Sequence, residues 1–304
     1  MGLPMNDEVK KASLLYLAQL QKFKNNNFDV HKDNLIKKLQ NTICGEKSAS
    51  FKTVEDIRLF IEPYIEFRTK TDSLVLCMGG ERLEDLQVQM VNVLQKYKDA
   101  AYNMNNGEGG PYFTSQSKYE PTILEEFMGF LLSPLMRNLH NIKCGPVKAY
   151  SEMNIEVSID ENNLAITNLA QKTKNQDFSI YTEKEISSDG LILQIPLISI
   201  ECKTYIDKTM LEGSINTAKR IKSGNPKGKF YVVSETWDLS ENETVNPNEI
   251  DNVFIIRKCK RRTHEAIDAN VVKDIFNTIK NDLLGLKLNT RPLDQIKKTG
   301  KLKL

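Results

Sequence analysis

Along the first third of the chain, apolar residues recur with the period of a helix. Leu14, Leu15, Leu17, Leu20 and Phe23 follow Asn6 and Asp7, either of which can cap a helix. Leu35, Ile36, Leu39 and Ile43 mark a second helix over about 30–43. Thr53 is suited to cap a third, with Val54, Ile57, Phe60 and Ile61 inward, and Pro63 is expected to end or kink it. A longer amphipathic run over about 83–104 presents Leu86, Met90, Val93, Leu94 and Tyr97. The stretch 105–119 contains Asn-Asn-Gly-Glu-Gly-Gly-Pro and reads as a linker. No strand precedes it and no Gly-Lys-Ser/Thr closes it, which argues against a phosphate-binding loop.

Beyond the linker the pattern is mixed. Pro121 and Thr122 open a helix through Leu132. Met153 to Ile159 alternates with period two, as a half-buried strand does, and Asp177 to Tyr181 and Leu191 to Cys202 also read as strands. Asp207 is placed to cap a helix through about Lys222. Phe230 to Ser234 and Val253 to Ile256 are two more strands, and Asp268 caps a last helix carrying Val271, Val272, Ile275, Phe276 and Ile279. This order predicts an α/β (α+β) fold, a mixed sheet flanked by helices behind an N-terminal helical region. The corresponding boundaries are a helical recognition or dimerisation region 1–104, a linker 105–119, a catalytic domain 120–285 and a basic tail 286–304.

Composition removes several function classes. A chain of 304 residues with 40% hydrophobic and 27% charged residues buries a core without staples. The apolar runs are far shorter than a membrane span and the N-terminus lacks the order of a signal peptide, so the cytoplasm is the expected location. Cys44, Cys77, Cys144, Cys202 and Cys259 are scattered and form no C-x-x-C pair, which argues against a disulfide framework or structural zinc. His31, His140 and His264 read as surface or core histidines, leaving histidine-based hydrolysis without parts. A net charge of +2 does not announce a nucleic-acid partner. Lys258, Lys260, Arg261 and Arg262 nevertheless stand together, as do Lys297, Lys298, Lys301 and Lys303. Alone, such clusters are solvated faces; beside a nuclease site the first becomes a candidate DNA contact, because a phosphate substrate needs positive surface.

One constellation carries chemistry. In Ile198-Ser-Ile-Glu-Cys-Lys203 the alternation of a strand sends Ile198, Ile200 and Cys202 to the core and puts Glu201 and Lys203 side by side on the opposite, water-facing side. In Gln176-Asp-Phe-Ser-Ile-Tyr181, Phe178 and Ile180 go inward and Asp177 outward. A hairpin turning in Ser187-Ser-Asp-Gly190 would fold Asp177 back beside Glu201 and Lys203. Asp189 is the competing aspartate, but pairing it with Glu201 would need a turn at Ile195-Pro196, among apolar residues. Pro196 is better read as a bulge or edge position, because the apolar phase shifts there. Two converging carboxylates suit Mg²⁺, which keeps several waters, and a neighbouring lysine can orient the attacking water. The competing structural reading is a cross-strand salt bridge. Tyr205 and Trp237 read as core aromatics that could alternatively touch DNA.

Asp177 followed by Glu201-Cys202-Lys203 resembles the PD-(D/E)XK nuclease motif, with Gln176 where that pattern often has proline. The longer block from Asn175-Gln-Asp-Phe through Ile200-Glu-Cys-Lys-Thr-Tyr-Ile-Asp-Lys-Thr-Met-Leu-Glu-Gly213 is similar to the BbvCI-like type II restriction endonucleases, with their Bpu-ten-I relative. Thr217 to Lys222, Asn225-Pro226 and Tyr231-Val-Val-Ser-Glu235 extend the likeness, which covers roughly 174–235. The resemblance implies a subunit of a heterodimeric, Mg²⁺-dependent enzyme of a restriction-modification system, each subunit cutting one strand of a duplex CCTNAGC-type site. It implies Asp177 and Glu201 as metal ligands and Lys203 as the water-positioning base. It also implies a further glutamate from an earlier helix, for which Leu124-Glu-Glu-Phe127 offers Glu125 and Glu126, with Glu126 preferred. A stand-alone repair or nicking nuclease and a non-catalytic DNA-binding subunit are the alternatives, and a self-paired assembly is the alternative to a heterodimer.

Overall fold

The computed structural model describes residues 7–45, 50–78, 82–106, 119–159, 161, 165–186, 190–240, 249–261, 263 and 265–287. The four helices of the first part are α1 (Asp7–Leu20), α2 (Val30–Cys44), α3 (Val54–Cys77) and α4 (Leu83–Asn106). Thr53 caps α3 in a reciprocal capping box with Asp56, as its position suggested. Pro63 does not end this helix, which runs on to Cys77. A proline costs a helix one hydrogen bond and a steric contact. Here Phe60, Ile61, Tyr64 and Phe67, all buried, hold the segments on both sides of it in the core.

The second part contains α5 (Tyr119–Met136), β1 (Ile142–Ile159), β2 (Ala165–Glu185), β3 (Ile192–Ile206), α6 (Lys208–Gly224), β4 (Lys229–Trp237), β5 (Asn252–Ile255) and α7 (Ala269–Lys287). The strands form one sheet in the order β1-β2-β3-β4-β5. β1, β2 and β3 are antiparallel neighbours, whereas β3–β4 and β4–β5 are parallel, so the sheet is mixed as expected. Most of the expected linker lies outside the described residues, as do Arg262, His264 and the basic tail.

The parallel step from β3 to β4 needs a crossover, supplied by α6, which Asp207 caps by accepting a hydrogen bond from the Met210 amide at 2.8 Å. A crossover helix covers a face of its sheet. Phe230, Val232 and Tyr181 accordingly pack beneath Leu211, Ala218 and Ile221 of α6. On the other face Phe178, Ile180, Ile198, Ile200 and Cys202 join an apolar cluster that includes α5, α7 and the helices of the first part. The face expected to meet water is thus largely covered, and Ser179 and Ser199 on it are fully buried, their hydroxyls 3.2 Å apart. The helical first part shares its core with the sheet. A buried ion pair between Lys98 of α4 and Glu235 of β4 adds a polar tie between the two.

Candidate active site

The local chain direction around the Glu-x-Lys strand follows from its pairing. Phe178 lies opposite Ile200, Ser179 opposite Ser199 and Ile180 opposite Ile198. The same register brings Asp177 opposite Glu201, as the hairpin argument required. Farther along, Tyr181 pairs with Pro196, so Leu197 is the extra residue of a β-bulge. The phase shift at Pro196 is therefore a bulge inside a continuous strand, and Ile195-Pro196 is not a turn. Residues 187–189 of the expected turn lie outside the described residues, but the Ile186 amide donates to the Leu191 carbonyl at 3.0 Å across it.

The side chains meet at this end of the hairpin. One carboxylate oxygen of Asp177 accepts from the Cys202 amide at 3.1 Å, which fixes it against β3 between Glu201 and Lys203. The Lys203 ammonium lies 2.6 Å from Glu201 Oε1, with the two side chains only 27% and 17% exposed. Burial pulls the Lys203 ammonium down in pKa, but the charge of Glu201 and its hydrogen bond push it up, and the balance lies above the ordinary lysine value. A lysine held cationic can donate to a water or an anionic oxygen; it cannot take a proton near neutrality.

Glu126 is placed elsewhere. Its carboxylate is fully buried in the helical region. Oε1 accepts from the Tyr64 hydroxyl at 2.6 Å, and Oε2 accepts from the His31 and Lys32 amides, both at 2.9 Å. Arg68 lies 3.7 Å from Oε1. Those two amides open α2, whose own cap residue, Asp29, makes no side-chain cap bond and pairs instead with Lys32 and Arg68. Glu126 therefore caps α2 from another helix. Its neighbour Glu125, half-buried, turns about 100° away around α5. The Cys202 thiol is pushed well above its ordinary pKa by burial first, then by the charges of Asp177 and Glu125, with Glu201 adding to them. Glu125 thus shares the electrostatic neighbourhood of the Asp177–Glu201 pair. Helical spacing could have favoured it in the sequence, since the large apolar residues Phe127 and Leu131 mark the core side. The sequence offers no sign of the donors that occupy Glu126.

The same buried network contains His31, whose ring nitrogens lie 2.9 Å from Thr122 Oγ1 and 2.7 Å from the Tyr97 hydroxyl. Burial, and then the charge of Lys98, hold its pKa down to about 3, from an ordinary 6.5. Between those values the unfolded chain binds a proton that the folded chain refuses. This contribution is therefore fully present above pH 6.5 and is lost as pH falls toward about 3. Replacing His31 with Gln should flatten the dependence of the urea midpoint on pH over that window. An unchanged slope in the variant would refute the assignment.

Of the basic run, Lys258 forms an ion pair with Asp268 at 2.6 Å. Lys260 lies over the Trp237 ring at 5.3 Å and Arg261 over the Tyr205 ring at 3.4 Å from their centroids. Tyr205 and Trp237 are half-buried, and each presents a ring to one of these cations. A groove of about 310 Å³ between α3 and α4 is lined by Pro63, Phe67 and Tyr97, distant in the chain from the Glu-x-Lys strand, and adds no carboxylate pair.

A mixed sheet whose hairpin sets an aspartate opposite a Glu-x-Lys strand, with helices on both faces, is the architecture of a restriction-endonuclease-like nuclease. The family described as Bpu10I restriction endonuclease matches residues 116–282, and the chain belongs to it. It is thus a type II site-specific deoxyribonuclease, acting on DNA. The fold is similar to that of a solved structure described as native BbvCI A2B2 tetramer at low resolution, with a TM-score of 0.65 and 20% identity, covering 88% of this chain and 100% of that one. Comparison with curated proteins gave no match. Among the described residues, no helix is long and apolar enough to cross a membrane.

Membership of this family points to a divalent metal cofactor. No cluster of three or more His, Cys, Asp or Glu side chains among the described residues stands ready-made for a metal. The pair itself fits one nonetheless. Among the described residues Glu201 Oε2 is buried with no hydrogen-bond partner, although Oε1 holds Lys203. A buried carboxylate oxygen without a donor is costly, and a cation beside it removes the cost. Asp177 and Glu201 would be its protein ligands, in keeping with a metal that retains most of its waters.

Proposed function

We propose that this chain is the subunit of a type II restriction endonuclease that hydrolyses one strand of a specific duplex with Mg²⁺, within a restriction-modification system. Asp177 and Glu201 hold the metal, Glu125 joins them, and Lys203 orients the attacking water and offsets charge on the phosphoryl oxygens. Bound Mg²⁺ supplies an acidified water and Lewis-acid polarisation of the phosphodiester. The observation that carries the reading is the register that sets Asp177 opposite Glu201, beside Lys203, with one Glu201 oxygen lacking a donor among the described residues. The chain works with a second, similar subunit, a reading supported by the A2B2 description of the solved structure it resembles. Its site is of the CCTNAGC type, which rests on the sequence resemblance alone.

The test is plasmid cutting by the Glu201→Ala chain beside its partner subunit. The expected result is a nick in one strand only, with DNA affinity retained. Unchanged double-strand cleavage removes the site. Calorimetric titration with Mn²⁺ separates a working subunit from a scaffold: the wild-type chain binds and the variant does not.

A further inference from the structure

The turn that follows β5 is built more firmly than a solvated loop requires. Its root is Arg257, which is 4% exposed. The Arg257 guanidinium bonds Glu235 Oε2 at 3.3 Å, Gln95 Oε1 at 3.3 Å and the Glu265 carbonyl. Lys258 has φ of +50°, a left-handed conformation that few residues adopt without a constraint. The Cys259 thiol bonds the Thr263 carbonyl and the Thr263 amide bonds the Lys260 carbonyl, both at 3.1 Å. The turn is also stitched to the end of β4, because the Trp237 amide donates to Cys259 at 3.2 Å and the Arg261 amide donates to Trp237 at 2.7 Å. Buried charge and backbone bonds thus hold a short exposed segment rigid.

That segment displays two cations. Lys260 and Arg261 are exposed, and among the described residues neither has an ion-pair partner. Each lies over an aromatic ring at the closing end of β3 or β4. Tyr205 follows Lys203 by two residues, about 7 Å along the strand, and Glu201 by about 13 Å. These are the distances of neighbouring backbone phosphates from a scissile one. An aromatic face engages a guanidinium through its plane, so the N–H edges stay available to two oxygens of one phosphate. The ring also pre-pays the rotamer entropy that a free arginine would lose on binding.

We propose that Arg261, held on the Tyr205 ring, binds a backbone phosphate of the duplex next to the one cleaved, with Lys260 on Trp237 as its companion. This rests on the nuclease reading above, and its ligand is the phosphate, not a base edge. Tyr205 is a positioning residue in it, acting through Arg261.

The test measures binding of a labelled random-sequence duplex to the whole chain in EDTA, by anisotropy, as a function of salt. Arg261→Ala should lower the slope of log K against log salt by about 1, so that the response to a tenfold salt change shrinks about eightfold. Tyr205→Leu should weaken binding in the same direction, and Tyr205→Phe should behave as wild type, because the ring face remains. Equal melting temperatures exclude a folding defect. A wild-type slope for Arg261→Ala overturns the phosphate contact. So does a loss confined to duplexes bearing one base at one position, which would make Arg261 a base reader. A Tyr205→Leu chain indistinguishable from wild type overturns the role of the ring. Because no metal or cleavage enters the measurement, its failure is distinguishable from failure of the Asp177–Glu201 site, which the Glu201→Ala cutting assay reports separately.

Discussion

Exchanging Glu201 for alanine is expected to slow single-strand cleavage on the order of 10³-fold or more, with DNA affinity in EDTA nearly unchanged. The magnitude follows from Lewis-acid stabilisation worth several kcal/mol, at about 1.4 kcal/mol per tenfold in rate. Glu201 is expected to supply much of it, because its Oε2 is a buried carboxylate oxygen with no donor among the described residues. Stability should change little, since the side chain is partly exposed and the one bond it is seen to make is to Lys203. Lys203→Met separates the two roles: Mn²⁺ affinity should survive and the rate should fall about 10²–10³-fold, as when one positioned donor to a developing anion is removed. Because Lys203 is held cationic, its contribution should be flat from pH 6 to pH 9. An activity that rises through that range with the lysine's own ionisation would show instead that it acts as a base.

Replacing Glu126 with alanine is expected to destabilise the fold by about 3–5 kcal/mol, read as a shift in the urea midpoint, because it leaves three buried donors without their acceptor. The stranded groups are the Tyr64 hydroxyl and the two amides that open α2, while Arg68 keeps Asp29 and Asp72. Glu126→Gln retains an acceptor oxygen and should lose less. Glu125→Ala should change stability by no more than about 0.5 kcal/mol and weaken Mn²⁺ binding. The reverse pattern, with Glu126→Gln folded but unable to bind metal and Glu125→Ala unaffected, would restore Glu126 to the metal site.

Much of the fold was legible because local rules and tertiary packing agree along most of the chain. Thr53 and Asp207 cap helices where their spacing puts them. The alternation in Ile198 to Cys202 and in Phe178 to Ile180 named the core face of two strands, and their antiparallel register is the one the hairpin reading required. Pro63 does not end its helix because a single-residue penalty of a few kcal/mol is outweighed by the buried residues around it. The expectation of an open face failed because alternation reports which side is apolar, and says nothing of a helix crossing over the other side.

By itself, then, the order of residues determined the helices, the hairpin and the meeting of Asp177 with Glu201 and Lys203, since each depends on periodicity, capping and turn residues close in the chain. Only the folded structure placed Glu126 in the buried cap of α2, and seated Arg261 on Tyr205. Those choices depend on groups far apart in sequence, such as Tyr64, Arg68 and the start of α2, whose positions are set by how helices pack and not by any local pattern.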